Sequence, residues 1–307
     1  MSVADTSYGM QPKGYRLPSE TRLGPVRLQI ADLARSLDYY ERVLGLRVVD
    51  RGSDRASLAA QGDDTVLIEL RERRDARPVP RRGRLGLYHY AILLPNRAAL
   101  GRFVAHLAEL GQYAGMSDHL VSEALYLTDP DGLGIEVYAD RPRSQWKHED
   151  RQLTMATNPL DVPNLIAAAN GERWTGMPLG TVVGHVHLYV ADIDQAAAFY
   201  HEGLGLDKVV WSYPGALFMS AGGYHHHLGT NTWAAGAPRA EENDARLLEW
   251  TVLVPSSKDA AAAAGSIAAA GYPVEVSKMG DADGSDSWVA TDPWGTSLRL
   301  ATATASK

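Results

Sequence analysis

The chain has 307 residues, of which 45% are hydrophobic and 22% are charged, a balance typical of globular proteins long enough for two domains. Its net charge of -7 and pI near 5.8 argue against a general nucleic-acid binder or a protein of anionic membrane surfaces. It contains no Cys, so disulfides and thiolate metal sites are excluded, and any metal would be held by His and carboxylate. Since no apolar run approaches about 18 residues and residues 1–21 lack an apolar signal core, we expect a cytoplasmic protein without membrane or nucleic-acid partners.

An amphipathic helix is predicted soon after the N-terminal tail, residues 1–21. Leu33, Leu37, Tyr40 and Leu44 recur every three or four residues, and Gly45 follows where a helix would stop. The surrounding segment, ADLARSLDYYERVLGL, returns 160 positions later as ADIDQAAAFYHEGLGL. This repeat predicts that two parts of the chain share one structural design.

Further repeats divide each of these parts in two. ILLPNRAALGRFVAHLAELG matches VLVPSSKDAAAAAGSIAAAG at the same shift of 160 positions, and TDPDG is followed by TDPWG. Each unit consists of an apolar strand, a turn with Asp, Asn or Pro, a helix closed by Gly, and three more strands. The sequence therefore predicts four βαβββ modules, two in residues 22–140 and two in residues 181–303. Residues 141–180 are predicted to link them, with a short helix near Ile166.

Two histidines occupy the same point of the first strands of modules two and three. They are His89 in LYHYAILLP and His185 in GHVHLYVADI, while the strand that closes module two carries Glu136 in TDPDGLGIEVY. Two imidazoles and one carboxylate suit a non-haem Fe(II) or similar divalent ion. Because a buried, isolated carboxylate is costly without a cation, Glu136 is a candidate ligand.

Four segments carry a resemblance to a known superfamily: LYHYAILLPNRAALGRF, SDHLVSEALYLTDPDGLGIEVYADRP, GHVHLYVADI and ALFMSAGGYHHHLGTNTW. They resemble the vicinal oxygen chelate superfamily, which includes glyoxalase I, extradiol ring-cleaving dioxygenases and bleomycin resistance proteins. Within it the chain is most similar to two-domain proteins of the catechol-2,3-dioxygenase type. The resemblance implies an α+β fold in which pairs of βαβββ modules form two cupped-sheet, glyoxalase-like domains. It also implies that metal ligands come from the first and last strands of the paired modules.

The pairing of the modules then decides which residues share a metal site. In modules one to four, the first-strand positions are Pro25, His89, His185 and Glu249, and the last-strand positions are Glu69, Glu136, His227 and Arg299. Pairing in chain order would leave two flawed sites, one of His89, Glu69 and Glu136 and the other of His185, His227 and Glu249. Pairing module two with module three collects His89, Glu136, His185 and His227 instead. We favour this crossed pairing, which leaves Arg299 to neutralise a carboxylate in the other cup.

The number of protein ligands separates two enzymatic functions. A site of His89, Glu136 and His185 leaves positions for a chelating diol and O₂, which favours an extradiol dioxygenase that uses Fe(II) and acts on a small aromatic substrate. If His227 is a fourth ligand, a glyoxalase-like lyase or isomerase using Zn(II), Ni(II) or Mn(II) is favoured. A third hypothesis, from the bleomycin resistance relatives, is a metal-free binding protein. The sequence is also compatible with a homodimer.

Several other residues are candidates for the same cup. His119, His225 and His227 are predicted catalytic residues, because a neutral imidazole near a bound diol can take a proton. Alternation along a strand would place His225 and His227 on one face and His226 on the other. The predicted pocket residues are His187, Tyr138, Tyr189, Asn231 and Trp233.

Overall fold

A computed structural model of the protein describes residues 8–277 and 287–303. The α-helices in these residues are α1 (Leu33–Arg42), α2 (Arg97–Glu109), α3 (Val162–Ala167), α4 (Ile193–Ala196), which continues as a π-helix (Ala197–Gly203), and α5 (Ser257–Ala269). The strands of the first part are β1 (Arg22–Ile30), β2 (Arg47–Arg51), β3 (Arg55–Ala59), β4 (Val66–Glu72), β5 (Gly86–Leu93), β6 (Gly115–Asp118), β7 (Ser122–Thr128) and β8 (Gly134–Asp140). Those of the second part are β9 (His148–Glu149), β10 (Gln152–Leu153), β11 (Val182–Tyr189), β12 (Asp207–Val210), β13 (Ala216–Ser220), β14 (Leu228–Asn231), β15 (Arg246–Val254), β16 (Val274–Val276), β17 (Trp288–Thr291) and β18 (Ser297–Thr302).

The four predicted βαβββ modules are present. Each opens with a long strand, β1, β5, β11 or β15, followed by a helix and three further strands. The helices begin at the predicted turns, where the side chains of Asp32, Asn96, Asp192 and Ser256 accept hydrogen bonds from the first helical turn. The short linker helix predicted near Ile166 is α3. No helix within the described residues is long and apolar enough to cross a membrane.

Two mixed, eight-stranded sheets contain the modules in crossed order. The inner sheet, formed by modules two and three, has the strand order β12-β13-β14-β11-β5-β8-β7-β6. The outer sheet, formed by modules four and one, has the order β16-β17-β18-β15-β1-β4-β3-β2. The prediction that module two pairs with module three is therefore confirmed. The division of the chain into domains at residues 22–140, 141–180 and 181–303 stays a prediction. Each of the two longer segments contributes strands to both sheets.

The repeated tyrosine and aspartate residues connect the two sheets. Tyr40 of α1 donates a hydrogen bond to Asp129 of the TDPDG turn (3.1 Å), and Tyr200 donates to Asp292 of the TDPWG turn (2.9 Å). Tyr40 lies in module one of the outer sheet and Asp129 in module two of the inner sheet. Tyr200 lies in module three of the inner sheet and Asp292 in module four of the outer sheet. All four side chains are buried, so these bonds satisfy polar groups that water cannot reach. The repeats therefore hold together modules that are neighbours in the chain but lie in different sheets.

Asp129→Asn is expected to flatten the dependence of stability on pH. Burial raises the pKa of Asp129 to about 7 from 3.8, so the folded protein keeps this proton at a pH where the unfolded chain has lost it. The wild-type free energy of unfolding should fall as pH rises from about 4 to about 7, by roughly 4 kcal/mol from this group. Urea unfolding at pH 5 and pH 8 measures the effect. An unchanged difference between these pH values in the variant would contradict it.

Candidate metal centre

The two central strands of the inner sheet bring the predicted ligands together. Ala91 of β5 pairs with Glu136 of the parallel strand β8 on one side and with His185 of the antiparallel strand β11 on the other. His89 lies two residues before Ala91 and therefore on the same face of the sheet. The small side chain of Ala91 leaves the space between the three larger ones open.

Three donor atoms converge at this point. The Nε2 atoms of His89 and His185 lie 3.0 and 3.2 Å from Oε2 of Glu136, and the two imidazole rings are 5.5 Å apart. One ligand atom from each residue lies within 4.8 Å of the other two, and all three residues are at least 96% buried. His89 and His185 therefore lie close enough together to share one metal ion, as the crossed pairing of modules requires.

The protonation states of these groups also suit a cation. Burial lowers the pKa of His185 to about 4, so its ring is neutral at physiological pH. Burial also favours the neutral acid at Glu136, but His185 and His89 outweigh this and hold the pKa of Glu136 well below its usual range. Neutral imidazole and ionised carboxylate are the forms that bind metals. Within the described part of the chain, both ring nitrogens of His89 lack a correctly oriented hydrogen-bond partner, and a metal bond to Nε2 would satisfy one of them.

The fourth symmetry-related position of the site is a glycine. In module two Ala91 pairs with Glu136, whereas in module three the equivalent residue, His187, pairs with Gly229. A Cβ atom on Gly229 would lie 2.9 Å from Cγ and Nδ1 of His187, so the imidazole ring occupies the space that a fourth ligand would need. The alignment of His227 with Glu136 is therefore wrong by two residues.

The three consecutive histidines do not follow strand alternation, because they precede β14 in an irregular segment. His227 accepts a hydrogen bond from the backbone of Ala221 (3.2 Å), and Nε2 of His225 lies 2.9 Å from Asp140. Neither lines the cavity described below, contrary to the orientation predicted for them. His226, which alternation excludes, does line it, with its ring 4.1 Å from that of His185.

A cavity of about 1230 Å³ opens next to the three donors, with His89 and Glu136 in its wall. Four of the predicted catalytic and pocket residues also line it: His119, His187, Tyr189 and Trp233. Further aromatic residues that were not predicted also line it, among them Tyr88, Tyr126, Tyr213 and Phe218. A large cavity with several aromatic residues in its wall suits a small aromatic ligand.

Two predicted pocket residues support the cavity from outside. Tyr138 lies behind His185, and its hydroxyl group is 2.6 Å from that of Tyr224. The side-chain amide of Asn231 donates to Nε2 of His187 (3.0 Å) and thereby fixes that ring. Both residues hold the orientation of groups around the site without lining the cavity.

His119 and Tyr126 form a hydrogen-bonded pair in the cavity wall. Nδ1 of His119 lies 2.7 Å from the carbonyl oxygen of Ala156, which can only accept, so Nδ1 is the donor. In the neutral ring Nε2 is then an acceptor, and the Tyr126 hydroxyl donates to it (2.6 Å). Tyr126 pairs with Glu136 across β7 and β8. The pair thus extends from the candidate metal centre to a histidine that can store a proton.

The equivalent positions of the outer sheet contain ion pairs. Arg299 donates to Glu249 (2.8 Å), as expected from the sequence, and Arg27 lies 2.7 Å from Glu69 and 3.2 Å from Glu249. The positive charges of two arginines thus balance the two carboxylates without a metal ion. The two sheets have therefore diverged from a common arrangement, and only the inner sheet combines two imidazoles with a carboxylate at these positions.

Comparisons with known proteins identify relatives of both parts of the chain. The family model of the glyoxalase/bleomycin resistance protein/dioxygenase superfamily matches residues 22–137 and 182–300. The chain is 45% identical over 260 residues to the catechol-2,3-dioxygenase of Bacillus subtilis (strain 168), covering 83% of this chain and 90% of that protein.

Two crystal structures have similar folds. A candidate dioxygenase from Bacillus subtilis strain 168 aligns with a TM-score of 0.63 and 15% identity, covering 94% of this chain and 86% of that one. Glyoxalase I from Zea mays aligns with a TM-score of 0.53 and 15% identity, covering 92% of each chain. At this identity the two likenesses concern the fold alone.

Proposed function

The chain belongs to the glyoxalase/bleomycin resistance protein/dioxygenase superfamily, and on that premise we propose that it is a metal-dependent extradiol dioxygenase acting on a catechol-type diol and O₂. The observation that carries this proposal is the incomplete ligand set. His89, Glu136 and His185 converge, while Gly229 and the ring of His187 take the place of a fourth ligand. Three ligands on one side leave room for both oxygens of a diol and for O₂. This arrangement favours the dioxygenase over the four-ligand lyase or isomerase.

We propose Fe(II) as the metal, held by Nε2 of His89, Nε2 of His185 and a carboxylate oxygen of Glu136. When bound, the ion would supply Lewis acidity toward the diol oxygens and electrons for O₂. Mn(II) shares the preference for this mixed donor set, whereas Zn(II) lacks the redox chemistry. All three ligands are buried, which favours a site whose net charge is zero. The net charge reaches zero when a divalent cation is held by two neutral imidazoles, one carboxylate and a diol that has lost one proton.

The residues of the chain would position the diol and remove its proton. The ring of Tyr88, 4.6 Å from that of His89 and 4.8 Å from that of Tyr189, forms an aromatic wall along which a substrate ring can pack and from which water is excluded. The hydroxyl oxygen of Tyr126 accepts the diol proton while its own proton passes to Nε2 of His119. The carbonyl of Ala156 then stabilises the resulting imidazolium through Nδ1.

Tyr126→Phe is expected to lower kcat for catechol cleavage roughly 100-fold, the usual contribution of a positioned acid-base group, while metal content stays unchanged. The control is Tyr213→Phe, since Tyr213 lines the same cavity but its hydroxyl contacts Thr157 (3.2 Å) instead of a histidine. Oxygen-electrode assays and metal analysis of both variants give the comparison. Equal losses in the two variants would show that the proton does not leave through Tyr126.

Reconstitution with metal tests the proposed function itself. The metal-free protein is loaded anaerobically with Fe(II) or with Zn(II), mixed with catechol, and exposed to air. Yellow ring-fission product and oxygen uptake should appear with Fe(II) and not with Zn(II). Absence of oxygen uptake across a panel of catechols, with Fe(II) bound, would refute the dioxygenase.

A further inference from the structure

Among the described residues, the charged side chains that line the cavity are unevenly distributed. Glu136 is the acidic one and belongs to the candidate metal centre, whereas Arg81, Arg82, Arg84 and Arg246 lie in another part of the wall. The whole chain has an excess of acidic residues, with 37 Asp and Glu against 30 Lys and Arg. A cavity wall with four arginines therefore departs from the overall charge, and its electrostatic potential favours anions.

This arginine wall is built by the segment that connects β4 with β5 and by the first residue of β15. Arg81, Arg82 and Arg84 belong to residues 79–85, between β4 and β5, and Arg246 begins β15. The 79–85 segment is fixed at both ends, since the backbone of Val79 donates to Asp131 (2.9 Å) and that of Leu85 donates to Pro238 (2.9 Å). The wall is therefore positioned before any ligand arrives.

In the part of the chain that the structure describes, three of the four arginines have no acidic partner. Arg84 is neutralised by Asp244 at 2.6 Å. Within residues 8–277 and 287–303, no carboxylate lies within 4.0 Å of the guanidinium groups of Arg81, Arg82 or Arg246. Arg246 is half-buried, and its Nε atom is buried without a hydrogen-bond partner in that part of the chain. A buried donor without a partner is costly, so a ligand that accepts its hydrogen bond would be stabilised.

The arginines lie beyond the aromatic wall as seen from the metal centre. The ring of Tyr88 lies between His89 and Tyr189. Its centroid is 4.6 Å from that of His89 and 4.8 Å from that of Tyr189. Burial raises the pKa of Tyr189, but Arg81 and Arg82 are close enough to its hydroxyl to oppose that increase. A substrate ring packed along Tyr88 would therefore direct its substituent toward the arginines. Arg82 also has a left-handed backbone (φ +61°), an unusual conformation for Arg.

We propose that Arg81, Arg82 and Arg246 bind a carboxylate on the side chain of the substrate, which is then an acidic catechol. This inference rests on the proposed dioxygenase function, because it assumes a diol at the metal centre. Guanidinium groups bind carboxylates through two parallel, charge-assisted hydrogen bonds, which fix orientation as well as charge. An uncharged alkyl substituent would leave the same groups without an acidic partner.

Steady-state kinetics with two catechols test the inference. We expect kcat/KM for 3,4-dihydroxyphenylacetate to exceed that for 4-ethylcatechol at least 10-fold in the Fe(II)-loaded protein. Arg82→Gln and Arg246→Gln should each lower the value for the acid about 10-fold or more, mainly through KM, and change that for 4-ethylcatechol less than about 2-fold. Arg73→Gln is the control, because Arg73 pairs with Glu242 (2.9 Å) outside the cavity lining. Equal rates for the two catechols, or equal losses on both in the variants, would overturn the inference while leaving the dioxygenase intact.

Binding to the metal-free protein separates the two proposals. Calorimetry should detect phenylacetate, which has the carboxylate but no diol, and its affinity should fall at least 10-fold in Arg246→Gln. If this binding is seen but no catechol is cleaved, the arginine site stands and the dioxygenase falls. If inorganic phosphate binds as tightly as phenylacetate, or if phenylacetate does not bind, the arginine wall is not a carboxylate site.

Discussion

Glu136→Gln is expected to reduce kcat/KM for catechol cleavage by at least about 1000-fold, which corresponds to roughly 4 kcal/mol. The carboxylate supplies the negative charge among the three donors, and its oxygen lies 3.0 and 3.2 Å from the two imidazole nitrogens. A neutral amide keeps the shape but loses that charge, so Fe(II) should also bind below stoichiometry. Oxygen uptake and iron content after desalting measure the two effects.

The matched control is Glu69→Gln, at the equivalent position of the outer sheet. Glu69 pairs with Arg27 at 2.7 Å, and Glu249 remains as a second partner of that arginine. We expect catechol cleavage and iron content to stay within about 2-fold of wild type, since exposed and half-buried ion pairs contribute little. Full activity in Glu136→Gln, or loss of iron in Glu69→Gln, would contradict the assignment of the site to the inner sheet.

Gly184→Ala should abolish iron binding and destabilise the protein. A Cβ atom at Gly184 would lie 1.8 Å from the hydroxyl oxygen of Tyr138, which is fully buried and bonded to Tyr224 (2.6 Å). Neither side chain can withdraw, so β11 must shift at the residue next to His185. Overpacking of this kind costs about 1–3 kcal/mol or more. Thermal unfolding and iron content check the prediction.

The matched control is Gly24→Ala, which occupies the same position in the first strand of module one. Its Cβ atom would meet the side chains of Thr251 and Leu253 at 3.0–3.1 Å. These neighbours need to move by only a few tenths of an ångström, and the metal centre is in the other sheet. Iron content should therefore be normal in Gly24→Ala. Partial recovery of iron binding in Gly184→Ala/Tyr138→Phe would confirm the clash, whereas normal binding in Gly184→Ala alone would refute it.

The sequence predicts the module pairing because the residues at the first-strand and last-strand positions differ in chemistry from module to module. Pro25 cannot bind a metal and Arg299 repels one, so one pairing alone joins His89, His185 and Glu136 in a suitable site. The observed sheet order agrees. This inference combined the ligand strands that the family resemblance implies with correct positions on long, regular strands, where alternation fixes the face of each residue.

The sequence fails where the backbone is irregular. Alternation assigns faces to His225, His226 and His227 only if they lie in a strand, but β14 begins at Leu228. Because the sequence alignment placed His227 opposite Glu136, two residues out of register, it did not point to Gly229. The pairing of Gly229 follows only from the register of β11 with β14. The cavity arginines could not be predicted either, because their place depends on the contacts of residues 79–85, which connect modules one and two, with Asp131 and Pro238.

Ring cleavage under ¹⁸O₂ tests the central claim most directly, because an extradiol dioxygenase transfers both atoms of O₂ to one product. The Fe(II)-loaded protein is given catechol and ¹⁸O₂, and the product is analysed by mass spectrometry. We predict that the ring-opened product contains two ¹⁸O atoms. Neither His89→Ala nor His185→Ala should form this product, although the two histidines come from different halves of the chain. Incorporation of one atom or none, or full activity in either histidine variant, would contradict a shared dioxygenase centre in the inner sheet.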